Sequence, residues 1–68
     1  MTDAPLVSII VPVYNERTTI RPVIDRLLSI DLPLAREIIA VNDGSRDGTA
    51  SELDAAARGN PSVTVVHL

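Results

Sequence analysis

Short apolar runs alternate with amphipathic stretches along the chain. The first run, Leu6 to Val11, is rich in β-branched residues and is followed by Pro12, which is typical of a strand buried on both faces. From Ile20 to Leu28 apolar residues recur at the i, i+3, i+4, i+7, i+8 spacing of one helix face, and Asp31 to Pro33 ends this pattern. The first third of the chain therefore predicts a strand followed by an amphipathic helix.

The same order continues in the rest of the chain. Glu37 to Val41 is a second run of the buried-strand type, and Asn42 to Gly48 is a loop dense in Asn, Asp, Gly and Ser. A helix is predicted to begin at Thr49, and Gly59 and Pro61 are predicted to stop it. Val63 to Val66 predicts a third strand.

Helix starts are indicated by capping residues. Thr18 or Thr19 is predicted to cap the first helix. Thr49 with Glu52 matches a capping box at the second helix, and Asp47 is the alternative cap there.

The order strand, helix, strand, helix, strand predicts an α/β fold: a βαβαβ half of an open parallel sheet, joined by right-handed crossovers. Ligands of such sheets bind at the carboxyl ends of the strands. Because the third strand runs into Leu68, we expect a truncated chain. A 68-residue chain with one aromatic residue and no cysteine is expected to be marginally stable and to expose an apolar sheet edge or face.

Charge and composition exclude several classes of function. The net charge is −3, and the six basic residues are scattered arginines that are expected on a solvated surface, so nucleic acid is a poor partner. The absence of cysteine removes disulfides and cysteine metal sites. The run from Leu6 to Val11 is too short for a signal-peptide core or a membrane span, which favours a chain that begins in the cytosol.

Polar loops follow the first and second strands. Pro12 to Glu16 and Asn42 to Thr49 are expected to lie side by side at one sheet edge, where they form one site. This site offers an aromatic face that could stack on a base and carboxylates that could accept ring N–H groups.

The sequences PVYNE and VNDGSRDGT, in this order and each after a buried strand, resemble the opening of family 2 glycosyltransferases of the GT-A, Rossmann-like type. The resemblance runs from about Leu6 to Leu68, and it implies that residues 1–68 are the incomplete N-terminal nucleotide-binding part of such a domain. The stretch EIIAVNDGSRDGT looks most like the polyprenyl-phosphate branch, such as dolichyl-phosphate mannose synthases.

The resemblance also implies roles for individual residues. Tyr14 would pack on the base of a UDP- or GDP-sugar donor and Asp43 would accept a hydrogen bond from it, while Pro12, Asn15 and Glu16 would shape the pocket. The implied nucleotide-binding set is Pro12, Tyr14, Asn15, Glu16, Asn42, Asp43, Gly44 and Ser45. Asn42 departs from the commoner Asp, which keeps an acceptor oxygen and removes a charge.

The family's DxD-type motif, which holds Mg or Mn on the donor diphosphate, does not occur in this chain. No catalytic residue or metal ligand is therefore assigned, and the chain alone is not expected to transfer sugar. The resemblance implies a complete cytoplasmic enzyme of cell envelope glycan synthesis that acts on a polyprenyl phosphate, lipid or saccharide acceptor. It would meet the membrane through that lipid acceptor or through C-terminal parts absent here.

Simpler interpretations stay open beside these. Asp43 could be a turn residue, Tyr14 a partly exposed ring, and Glu16 a partner of the helix dipole. His67 has no potential metal ligand at suitable sequence spacing and is expected to be a structural histidine. The alternative function is a non-catalytic nucleotide-binding module or scaffold half-domain. A dinucleotide-binding half is disfavoured because no GxGxxG loop follows the first strand.

Overall fold

The computed structural model describes residues 6–31 and 33–68. The elements in these residues are β1 (Leu6–Val13), α1 (Ile20–Ser29), β2 (Ala35–Asn42), α2 (Thr49–Gly59) and β3 (Val63–His67). Leu32, within the segment predicted to end the first helix, lies outside the described residues. The helix itself ends at Ser29, slightly before that segment.

The strands form one parallel sheet in the order β1-β2-β3, which confirms the predicted βαβαβ arrangement. In this register Val13 pairs with Asn42, and Asn42 pairs with His67. The carboxyl ends of the three strands are therefore level with one another. The loops that leave β1 and β2 start from the same edge of the sheet.

Both helices lie on the same face of the sheet. The strand order advances in one direction, and right-handed crossovers then place each helix on the same side. Apolar side chains from this sheet face and from the helices make up the core. Its buried members are Val13, Ile20, Ile24, Ile38, Ala40, Leu53, Ala56 and Val63.

The prediction that β1 is buried on both faces is wrong. Its side chains alternate between half-buried and exposed, and Leu6 and Ile10 are 55% and 59% exposed. On β3, Val66 is 41% exposed. Within the described part of the chain, the helices cover the opposite face only, so Leu6 and Ile10 of β1 and Val66 of β3 lie on an exposed apolar face, whereas Ile9 and Val11 pack against the core. This face agrees with the expectation that the chain would expose apolar sheet surface.

The predicted threonine cap of α1 is also wrong. Thr19 occupies the N-cap position, but its side chain caps no helix N–H and its backbone is already helical. Its hydroxyl instead faces the Glu16 carbonyl at 3.4 Å. The same carbonyl accepts the backbone N–H of Ile20 at 2.9 Å, so the backbone itself makes the first turn of this helix.

At α2 the predicted capping box does not form, and Gly48 rather than Asp47 occupies the N-cap position, although the Asp47 carboxylate bonds to the first turn of the helix. Thr49 is the first helical residue rather than the N-cap, and Asp47 Oδ1 accepts its backbone N–H at 3.1 Å. The Glu52 carboxylate lies 3.5 Å from Arg21 of α1. The capping box fails because the Thr49 hydroxyl bonds to groups outside the helix.

Arg36 departs from the expected solvated surface. It lies on β2, is half-buried, and donates from Nη1 to the Leu27 carbonyl at 2.7 Å. A cation at the carbonyl end of a helix satisfies an orphan acceptor and complements the helix dipole. Arg36 thereby joins β2 to the last turn of α1.

Candidate functional site

Two loops meet at the carboxyl edge of the sheet: the first loop, residues 14–19, and the second loop, residues 43–48. The backbone N–H of Asp43 donates to the Val13 carbonyl at 2.9 Å. Asn15 N–H donates to Ser45 Oγ at 2.9 Å, and Asn15 Oδ1 accepts the N–H of Arg46 at 2.8 Å. The loops thus lie side by side, as the sequence predicted, and reciprocal hydrogen bonds join them.

A second set of hydrogen bonds joins the loops closer to the core. The backbone N–H of Glu16 donates to Thr49 Oγ1 at 2.9 Å, and that of Arg17 donates to Asp47 Oδ2 at 3.3 Å. The Thr49 hydroxyl in turn donates to Asp47 Oδ1. Thr49 is fully buried, so its hydroxyl is held at a fixed position between the two loops.

The pKa of Asp47 is lowered in this arrangement. The hydrogen bond from the Thr49 hydroxyl is the main cause; desolvation opposes it, and the backbone N–H groups of Arg17 and Thr49 add to the lowering. Asp47 is therefore ionised at neutral pH and accepts hydrogen bonds from the first loop and from the first residue of α2. Sequence reasoning identified Asp47 only as a cap and missed its contact with the first loop.

Backbone conformations in the loops depend on particular residue types. Asn15 has a φ of 49°, a left-handed conformation that Asn tolerates better than most residues. Gly44 and Gly48 have φ values of 72° and 95°. A Cβ added to Gly48 would also lie 3.0 Å from Arg17 Cδ, so glycine there permits the close approach of the first loop.

Side chains that point away from these bonds are available to a ligand. Tyr14 is 59% exposed directly after β1. Asp43 is exposed directly after β2, and within residues 6–31 and 33–68 its carboxylate makes no hydrogen bond or ion pair. Glu16 and the backbone at Gly44 are exposed as well, and Asn15 is exposed although its Oδ1 takes part in the bonds between the loops. The site thus presents an aromatic ring and a carboxyl acceptor at one sheet edge.

Two residues of the predicted nucleotide-binding set lie elsewhere. Pro12 lies in phase with the exposed Leu6 and Ile10 along β1 and so faces the uncovered side of the sheet. Asn42 is 4% exposed beneath the second loop, and its Oδ1 accepts the Ser45 N–H at 3.1 Å. Direct contact of either residue with a nucleotide stays a prediction, as it does for the rest of the set.

His67 closes the edge on the side of β3. Its Nδ1 lies 3.0 Å from Asn42 Nδ2, and its Nε2 lies 2.8 Å from Asp54 Oδ1. Both ring nitrogens are hydrogen-bonded, in agreement with the expected structural histidine. No sequence pattern indicated Asp54 as its partner, because the contact spans 13 positions between α2 and β3.

No candidate metal site occurs at the loops in the described part of the chain. A groove of about 150 Å³ lies between α1 and α2, and it is lined by Arg21, Ile24, Asp25, Leu28, Ala56, Gly59 and Asn60. Among the described residues no three His, Cys, Asp or Glu side chains are grouped so that they could hold a metal ion. The described residues therefore do not fit the divalent cation that the resemblance implies.

No helix in the described part of the chain has the length and apolar character needed to cross a membrane.

The fold and the joined loops define an α/β protein of the open parallel-sheet class, with polar loops at the carboxyl edge. The sequence model of the family described as Glycosyl transferase family 2 matches residues 8–68. The chain belongs to this family, which confirms the resemblance seen in the two loop motifs.

Curated relatives agree with this assignment. The chain is 40% identical over 63 residues to an uncharacterised glycosyltransferase of Synechocystis sp., a match of 90% of this chain and 20% of the relative. It is 44% identical over 62 residues to undecaprenyl-phosphate 4-deoxy-4-formamido-L-arabinose transferase of Pseudomonas aeruginosa, covering 88% of this chain and 18% of the relative.

A third relative is the dolichol-phosphate mannosyltransferase of Saccharomyces cerevisiae. The identity is 37% over 62 residues, which is 87% of this chain and 23% of that protein. The chain thus spans about a fifth of the length of the curated relatives it matches.

Proposed function

We propose that this chain is the donor-nucleotide-binding part of a glycosyltransferase that moves a sugar from a UDP- or GDP-sugar to a polyprenyl phosphate. The observation that carries the proposal is the pair of joined loops, which leaves Tyr14 and Asp43 free at the carboxyl edge of the sheet. The names of the Pseudomonas and Saccharomyces relatives, which include undecaprenyl phosphate and dolichol phosphate, support the acceptor.

Tyr14 and Asp43 would divide the recognition of the base. An exposed aromatic ring can stack on any base, because every base has a π face. The Asp43 carboxylate can accept a ring N–H, and uracil and guanine both offer one on the pairing edge. Stacking would supply affinity, and the carboxylate would favour these two bases.

Catalysis would need groups beyond the described residues. In the proposed full-length protein, a divalent cation would stabilise the leaving diphosphate, and its ligands would come from outside this chain. The full-length protein would act in the cytoplasm, at the membrane face where a polyprenyl phosphate is accessible. This segment would contribute binding and orientation of the donor.

Calorimetric titration of UDP and GDP into the full-length protein and its Asp43→Asn variant tests the base-reading role. The substitution keeps one acceptor oxygen but removes the charge, so affinity for the better nucleotide is expected to fall by roughly tenfold. The loss should be equal with and without manganese, because the base rather than the diphosphate is contacted. Asp25→Asn makes the same change on the exposed surface of α1 and is expected to leave affinity unchanged.

Tyr14→Ala should weaken binding of UDP and GDP alike by about 1–3 kcal/mol, whereas Tyr14→Phe should retain it, because stacking needs only the ring. Unchanged affinity in both Asp43→Asn and Tyr14→Ala would contradict the proposal. Nucleotide binding without sugar transfer to any polyprenyl phosphate, lipid or saccharide acceptor would instead favour the non-catalytic module.

A further inference from the structure

A chain of hydrogen bonds runs from the second loop through Asn42 and His67 to α2. Its first donor is the backbone N–H of Ser45, which can only donate, so the atom of Asn42 at 3.1 Å must be the amide oxygen. The amide nitrogen of Asn42 then faces His67 Nδ1 at 3.0 Å. Because an amide NH₂ can only donate, His67 Nδ1 must accept and carries no proton.

The protonation of the other ring nitrogen follows. A neutral imidazole with a bare Nδ1 carries its proton on Nε2. That N–H points to Asp54 Oδ1 at 2.8 Å, where a carboxylate accepts it. The backbone N–H of Ser45 thus fixes the direction of each bond along Ser45, Asn42, His67 and Asp54.

Asn42 occupies a demanding position in this series of bonds. It is 4% exposed at the end of the central strand, paired with Val13 on one side and with His67 on the other. A buried amide needs partners for both its oxygen and its nitrogen. If His67 offered no acceptor, the amide could turn or move, and the Ser45 N–H would lose its partner. Ser45 also accepts the N–H of Asn15, so this movement would reach the first loop.

We propose that His67, as the neutral Nε2–H tautomer, is a positioning residue for the nucleotide loops. It holds the Asn42 amide in the orientation that fixes the turn carrying Asp43, and it touches neither nucleotide nor sugar. This inference rests on the proposed nucleotide-binding function. It adds a residue of β3 to the support of a site formed by the loops after β1 and β2.

Spectroscopy gives a readout that is independent of nucleotide binding. Long-range proton–nitrogen NMR spectra of the full-length protein distinguish a bare ring nitrogen from a protonated one. In its neutral form, His67 is expected to show a bare Nδ1 and a protonated Nε2. In Asn42→Asp the carboxylate has no N–H to donate, so Nδ1 is expected to become protonated. A protonated Nδ1 in the wild type would overturn the proposal.

Nucleotide titration separates positioning from simple packing. His67→Leu replaces the ring by an apolar side chain of moderate size and removes the acceptor, and it is expected to weaken UDP or GDP binding by about five- to tenfold. His67→Asn places an amide oxygen near the position of Nδ1 and is expected to restore affinity close to the wild type. Asp54→Asn keeps an acceptor oxygen for Nε2–H and should also bind like the wild type.

The outcomes distinguish this inference from the function on which it rests. If Asp43→Asn weakens binding but His67→Leu does not, the positioning role is refuted and the proposed function stands. If His67→Asn is as defective as His67→Leu, the acceptor is not what matters and the positioning role is likewise refuted. If Asp43→Asn and Tyr14→Ala bind like the wild type, the proposed function itself fails.

Discussion

Replacing Thr49 by valine keeps the branched shape of the side chain and removes its hydroxyl. In the folded protein that hydroxyl accepts the Glu16 N–H at 2.9 Å and donates to Asp47, and Thr49 has no solvent exposure. Valine offers neither donor nor acceptor, so the Glu16 N–H of the first loop loses its partner. The change therefore removes a junction between the two loops with little change in volume.

The expected cost follows from the hydrogen bond rather than from packing. A donor left unsatisfied in a part-buried place costs about 1–3 kcal/mol, so we expect Thr49→Val to destabilise the join of the loops by about 2 kcal/mol. Thr49→Ser is the matched control, because it keeps the hydroxyl and removes one methyl group, at a cost of about 0.8 kcal/mol. If apolar burial alone mattered, Thr49→Ser would be more destabilising than Thr49→Val.

Hydrogen exchange of the Glu16 amide in the full-length protein measures this local effect. A loss of about 2 kcal/mol corresponds to exchange that is roughly 30-fold faster in Thr49→Val. The Asp43 amide, which donates to the Val13 carbonyl within the sheet edge, serves as an internal control and should change less. Slower or equal exchange of Glu16 in Thr49→Val compared with Thr49→Ser would refute the role of the hydroxyl.

Three further predictions concern acid stability, the exposed sheet face and activity. Hydrogen bonds lower the pKa of Asp47 in the folded state, so its stabilising contribution is present above the ordinary aspartate pKa of about 3.9. That contribution is lost as the pH falls through the lowered pKa of the folded state. Thermal unfolding followed against pH should therefore show a smaller loss of stability in acid for Asp47→Asn than for the wild type. The isolated 68-residue chain should be marginally stable and should associate through the apolar face around Ile10, so sedimentation should show less association for Ile10→Thr. A cooperative thermal transition well above room temperature for a dilute monomer would contradict the expected marginal stability. The isolated chain should transfer no sugar from any nucleotide sugar with magnesium or manganese, and metal-dependent turnover by it would contradict the assignment of this segment to donor binding.

The secondary-structure elements could be predicted from the sequence because their signals are local. The 3.6-residue spacing from Ile20 and the β-branched runs of the strands act over a few neighbouring positions. The strand ends were predicted less accurately. The predicted runs stop at Val11 and Val41, whereas β1 continues through Pro12 to Val13 and β2 reaches Asn42. Pairing in register with a neighbouring strand sets those ends, and a single run of residues does not contain that information.

The helix caps show where local signals compete with tertiary contacts. Thr49 and Glu52 have the spacing of a capping box, but the Thr49 hydroxyl bonds to the backbone of Glu16, which lies 33 positions away. A threonine hydroxyl can serve either use, and packing of the loops decides between them. The sequence therefore has the residue spacing of a capping box, but the folded protein does not form one.

The sequence by itself determined the order of the elements, the parallel α/β class, the family, and the two loops that meet at one edge. Only the tertiary structure decided which sheet face is covered, that Asn42 lies under the second loop, and that His67 links Asn42 to Asp54. Those features depend on bonds such as that of Asn42 with His67, which lie 25 positions apart. Residue spacing encodes contacts within an element, whereas contacts between elements exist only once the sheet register brings their side chains together.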